Sequence, residues 1–183
     1  GHIHVELHNE SNLVQEGWTT SWANGRAFGD WLLSVAALYR GAFPTVRLMY
    51  PGLSPGSDVP GVRADSARFL TDSQHALIGC DSLGIHAYWS QGYPMAQALV
   101  HVDAHAAYGK LAWVTEASRN DRPAVVPAAQ YGNEYRLFWQ EMQKRPWVQG
   151  VTYFVASASN PYFHPECWVV NGVGRGIAAA IRS

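Results

Sequence analysis

Apolar positions along the chain alternate between two spacings. Short apolar runs at His4–Leu7, Phe43–Tyr50, Ser82–Trp89, Leu111–Thr115 and Gln149–Val155 read as strands. Between them, apolar residues recur three and four apart, the spacing that puts one greasy stripe along a helix. Ala27, Phe28, Trp31, Leu32, Val35, Ala36 and Tyr39 form such a stripe, which ends at Gly41. Ala67, Leu70 and Leu77 mark a second helix over Ala64–Ile78, and Pro94 opens a third that runs to Tyr108 and closes at Gly109. Tyr131, Tyr135, Phe138 and Met142 mark a fourth over Gln130–Lys144, stopped by Pro146, and Val173–Arg182 reads as a last helix. Strand and helix thus alternate through residues 1–183 with no linker or low-complexity tract, which predicts one α/β domain around a parallel sheet. No G-x-G-x-x-G or Walker sequence follows a strand, so a barrel fits better than a doubly wound nucleotide fold.

Chemistry in such a protein collects where strands end at their carboxyl tips. Two tips break off into a carboxylate: His8-Asn9-Glu10-Ser11 and Trp113-Val114-Thr115-Glu116. Two opposed carboxyls are the minimum equipment for cleaving a glycosidic bond, one to protonate the departing oxygen and one to attack or to activate water. Glu10 and Glu116 are therefore the expected pair. A third tip carries His86, Tyr88 and Trp89.

Composition narrows the function classes. Of 183 residues, 48% are hydrophobic and 15% charged, enough for a packed core, and a net charge of -1 leaves no basic footprint for nucleic acid or a polybasic membrane anchor. No apolar run approaches the roughly 20 residues that span a bilayer, and no signal-peptide pattern opens the chain. A mature secreted protein lacks one too, so secretion stays plausible and the compartment open. Eight Trp and nine Tyr exceed what such a core needs, and flat rings are what sugars stack on. Trp18, Trp22, Trp89 and Trp168, at loops or strand tips, suit platforms, whereas the helical spacing of Trp31 and Trp139 suits core. Cys80 and Cys167 pair only if the fold joins them, and free buried thiols fit equally well. Asn9-Glu10-Ser11 matches a glycosylation acceptor, but a glycan there would block the carboxylate. A zinc hydrolase reading of His2, His4 and His8 is weaker, because His2 and His4 precede the tip and His101 and His105 lack the H-E-x-x-H glutamate. No metal or other cofactor is expected.

Taken together, Asn9-Glu10, His86-Ala87-Tyr88 and Glu116 resemble the strand tips of the clan A glycoside hydrolases, the retaining cellulase, mannanase and xylosidase superfamily of (β/α)8 barrels. In that clan an Asn-Glu pair ends the fourth strand, a Tyr with a nearby His the sixth, and a second Glu the seventh. The order agrees, with one strand between the first two tips and none between the last two. The resemblance implies Glu10 as general acid/base and Glu116 as nucleophile, with Asn9 on the sugar 2-hydroxyl, Tyr88 tuning Glu116 and His86 lining the subsite. Trp89, Trp18, Tyr153 and Trp168 are the expected further sugar contacts; the clan's eighth-strand Trp is absent, with Tyr153 or Phe154 nearest. The match covers only strands four to eight and their helices. It therefore implies a partial (β/α)8 TIM-type barrel that pairs with a missing N-terminal half or with a second copy and cleaves a β-linked oligo- or polysaccharide. An inactive carbohydrate-binding or structural relic of that barrel is the alternative.

Overall fold

A computed structural model describes residues 3–182; His2 lies outside them. The five predicted strands form one sheet in chain order: β1 (His4–Glu6), β2 (Arg47–Tyr50), β3 (Ser82–Trp89), β4 (Ala112–Arg119) and β5 (Val148–Tyr153). The pairings of β1 with β2 and of β2 with β3 are parallel, with Val5 opposite Leu48 and Tyr50 opposite Leu83. Contacts cluster into two compact units, residues up to 86 with 109–113, and residues 87–108 with 114 onward.

In the first unit, helix α1 (Gly25–Ala42) makes the crossover from β1 to β2. Asn24 caps it, its Oδ1 accepting from the Ala27 N–H at 2.9 Å. The predicted stripe supplies its buried face, with Phe28, Leu32 and Ala36 wholly enclosed. The predicted second helix is two: α2 (Ser66–Asp72) and α3 (Gln74–Gly79). The break falls at Ser73, whose hydroxyl bonds back to the Phe69 carbonyl at 2.8 Å and shares a 2.6 Å bond with the Tyr50 hydroxyl, a side-chain competition that bends helices. β2 also begins later than its apolar run, because Phe43 is spent closing α1. At the far end of the strands Asp81 gathers Arg40, Arg47 and the Leu48 N–H, which outweigh its partial burial and hold its carboxyl below the usual range.

In the second unit, α4 (Met95–Ala104) runs on as a 3-10 turn to Tyr108, and α5 (Ala128–Gln143) buries Tyr131, Tyr135, Phe138 and Met142 as its spacing predicts. The expected last helix is wrong at its start. Val169–Val170 (β6) and Val173–Gly174 (β7) form a small hairpin around Asn171-Gly172, both at positive φ, and only Ile177–Arg182 is helix (α6), lying against α5. Asn-Gly is the sequence that a tight hairpin turn demands, and it overrides the apolar spacing. Among the described residues no helix is long and apolar enough to cross a membrane.

Candidate active site

The tip of β1 is an unusual piece of backbone. His8 and Glu10 both adopt positive φ, at 88° and 40°, which non-glycine residues avoid unless their surroundings impose it. The Glu10 N–H donates to the Gly52 carbonyl at 3.0 Å, fixing the tip to the loop after β2. From there the Glu10 carboxylate, only 17% exposed, meets Nδ1 of the buried His86 at 3.0 Å. That contact depends on Gly52. A Cβ there would lie 2.2 Å from Cδ2 of His86, so a side chain would occupy the seat of the imidazole. Glu6, the last residue of β1, accepts the Gly52 N–H at 2.7 Å; its Oε1 fills the space over Gly84, where a Cβ would lie 2.4 Å away. The 3-10 turn that follows, Val14–Glu16, has Leu13 at its cap and no side-chain cap bond.

Asn9 is exposed, and its carbonyl accepts from His8. Asn12, by contrast, is fully buried and ties three backbone groups: its Nδ2 donates to the Ser54 and Ala64 carbonyls at 2.9 and 3.0 Å, and its Oδ1 accepts from the Ser54 N–H at 2.9 Å. It is the buried bolt that holds the loop beyond Glu10. Trp18 is half-buried in that loop. Trp22 is a correction to the sequence reading: it is buried among His8, Phe28 and Trp31, with its indole N–H on the Ser11 carbonyl at 2.8 Å, while Trp31 and Trp139 are the partly exposed rings. Helical spacing located the stripe but not its edge. His4 meets Ser82 and the Trp113 ring, and His8 meets Asn9 and Trp22.

In the second unit β4 carries Glu116 inside the strand, which continues to Arg119. The Tyr88 hydroxyl donates to Glu116 Oε2 at 2.5 Å, and the Phe154 ring stands edge-on to Tyr88 at 6.2 Å. The neighbouring arginines pair with other carboxylates, Arg119 with Asp121 and Glu134 and Arg122 with Glu166.

Strand alternation sorts the remaining expected contacts. Trp89 follows Tyr88 directly and so faces the other way, stacked on Phe138 at 5.0 Å with its N–H on Glu134; it is 2% exposed and belongs to the helix side. Tyr153, next to Phe154, likewise turns to α5, donating its hydroxyl to the Tyr135 carbonyl and stacking on that ring at 4.1 Å. Trp168 joins the same stack, and both rings line a cavity of about 430 Å³ with Tyr135, Trp139 and Ile181. Trp89, Tyr153 and Trp168 therefore sit with α5 rather than with Glu116, and Phe154 is the strand-tip ring on the Glu116 side.

Sequence reasoning passed over Glu166. It is wholly buried, with Arg122 Nε 2.6 Å from Oε1, yet neither of its oxygens accepts an aligned hydrogen bond among the described residues. Burial pushes its carboxyl up to about 7, against the pull of Arg122 and with help from the negative charge of Glu116. The only hint in the sequence is an acid standing between Pro165 and Cys167 in an aromatic loop.

A profile of the family described as the glycosyl hydrolase catalytic core matches residues 44–172, well over half of the chain. The chain belongs to that family. It is thus a glycoside hydrolase by descent. No curated protein matches it. Among solved structures it is similar to a GH128 (subgroup II) endo-β-1,3-glucanase from Sorangium cellulosum, at 19% identity and a TM-score of 0.74, over 100% of this chain and 70% of that one. A second, from Pseudomonas viridiflava, gives 18%, 0.69, 99% and 69%. A GH128 (subgroup I) enzyme from Amycolatopsis mediterranei, solved as a mutant with laminaritriose and laminaribiose, gives 18%, 0.65, 98% and 71%. At these identities the likeness is one of fold: the hydrolase shares their α/β architecture.

Proposed function

We propose that this hydrolase cleaves a β-linked glucan, of the β-1,3 class on which its structural neighbours are named, by double displacement between Glu10 and Glu116. The observation that carries the reading is on β3. His86 binds Glu10 and Tyr88 binds Glu116, and these two holders stand two positions apart on one strand. Residues so spaced share a face and lie about 6.7 Å apart along the strand. The shared strand supports the pairing, and the reading requires the two carboxyl groups to stand about 5–5.5 Å apart, as retention does.

The roles follow from the two environments. Tyr88 donates to Glu116, which favours the ionised form and aims it, as a nucleophile requires. Glu10 protonates the departing oxygen, and after the glycosyl-enzyme forms on Glu116 it takes a proton from the water that releases the sugar. His86, locked over Gly52, keeps Glu10 in place through both steps. Asn9, exposed beside Glu10, is assigned to the 2-hydroxyl. In this reading the chain is one domain of the clan A type and supplies strands four to eight of a (β/α)8 barrel. The remaining wall comes from further polypeptide or from a second copy, consistent with its covering 70% of the first neighbour.

The test is release of reducing sugar from a β-1,3-glucan by the wild-type chain and by Glu10→Gln and Glu116→Gln. Turnover in the wild type that falls at least about a hundredfold in both variants supports the assignment. Unchanged turnover in either variant overturns it, and wild type that binds the glucan without cleaving it marks the relic reading instead.

A further inference from the structure

Two loops follow the carboxyl ends of β4 and β5, where barrel enzymes build their sites. One brings Arg122 and the other Tyr162 and Phe163, and the Arg122 guanidinium lies 4.3 Å from the Tyr162 ring centroid and 4.9 Å from that of Phe163. The guanidinium is itself held from behind, by the Asn120 Oδ1 at 2.9 Å and by buried Glu166 at 2.6 Å. Tyr162 is held in its turn by Asn160, whose side chain accepts its N–H at 3.0 Å. Yet Tyr162 is 63% exposed, while the Arg122 side chain that braces it is 14% exposed.

A cation–π contact at an exposed ring contributes little to folding, which is scant reason to brace the ring from several sides. A cation beneath one face fixes the ring and leaves its other face to water, flat and rigid, which is the form in which an aromatic binds a sugar ring at low entropic cost. The ring is also connected to the site. Tyr162 meets Phe163 at 5.3 Å, Phe163 meets Phe154 at 5.5 Å, and Phe154 meets Tyr88, the holder of Glu116.

We propose that Tyr162 is a sugar-stacking platform: it takes a pyranose ring of the bound β-glucan remote from the one whose bond Glu116 attacks, and so favours longer chains. This rests on the function proposed above. The platform is passive, with Arg122 and Glu166 acting only to hold it.

The experiment is calorimetric titration, in a Glu116→Gln background so that ligand survives, with β-1,3-gluco-oligosaccharides of increasing length against Tyr162→Ala and Tyr162→Phe. Tyr162→Ala is expected to reduce the affinity ratio of long to short ligands by roughly three- to tenfold, and Tyr162→Phe, which keeps the flat ring, to restore it. An equal affinity change at every length, or a Phe variant as weak as Ala, overturns the platform. Failure to bind β-1,3-gluco-oligosaccharides of any length would instead remove the proposed function, and the platform with it.

Discussion

Replacing Glu166 by Gln removes a titrating group while keeping its shape, and the structure sets both the sign and the size of the effect. Burial places the folded-state value at about 7, above the ordinary 4.5. Between these values the folded chain holds a proton that the unfolded chain has released, so stability falls as pH rises through that window and is level outside it. A difference of about 2.5 units at ~1.4 kcal/mol per unit is worth about 3.5 kcal/mol in all, of which about 3 kcal/mol falls above pH 4.5. The groups facing Glu166 are Arg122, Glu116, Tyr131, Tyr135 and Cys167, and of these Arg122 is the cation that opposes the shift. Urea unfolding of wild type and Glu166→Gln from pH 4.5 to 8 isolates the effect, because carboxylates held low elsewhere, such as Asp81, slope the other way but equally in both proteins. The wild type is expected to lose about 3 kcal/mol more than the variant across that range. The loss of the Arg122 contact adds only a constant offset. Parallel pH profiles would refute the reasoning and mean that Arg122 keeps Glu166 ionised throughout.

Two further substitutions probe the unit that carries Glu10. Gly52→Ala forces a methyl group against the His86 ring; thermal unfolding should register the ~1–3 kcal/mol typical of overpacking, and kcat/KM on the glucan should fall on the order of a hundredfold as Glu10 loses its holder. Asn12→Ala strips three backbone groups, one buried and two part-buried, of their partner, and urea unfolding should show a loss of about 3 kcal/mol or more, whereas a loss under 1 kcal/mol would mean water replaces the side chain.

What the sequence revealed follows from how far its signals reach. Strand and helix periodicity is local, so the five strands, the buried face of α5 and the strand-tip position of Glu10 could all be read along the chain. The orientation of aromatic residues could not. Trp89 shares a strand tip with Tyr88, and Tyr153 one with Phe154, but adjacent strand residues face opposite layers, and only one of each pair stands on the Glu116 side. Ser73 breaks a helix through a bond to Tyr50 that no window of sequence contains. Glu166 was invisible for a related reason: an acid in an aromatic loop reads as solvated until its arginine, 44 positions earlier, is seen against it. Asn171-Gly172 is the exception, a hairpin signal present in the sequence and outweighed in the reading by the apolar residues around it.

The central claim is that Glu116 attacks the sugar while Glu10 serves as acid and base. Its most direct measurement is the mass of the peptide labelled when the chain is incubated with a slow 2-deoxy-2-fluoro-β-glucoside bearing a good leaving group. The account predicts one glycosyl adduct, on the peptide containing Glu116 and absent from Glu116→Gln. An adduct on any other residue, or hydrolysis of the glucan by a chain in which Glu116 is never labelled, would contradict it.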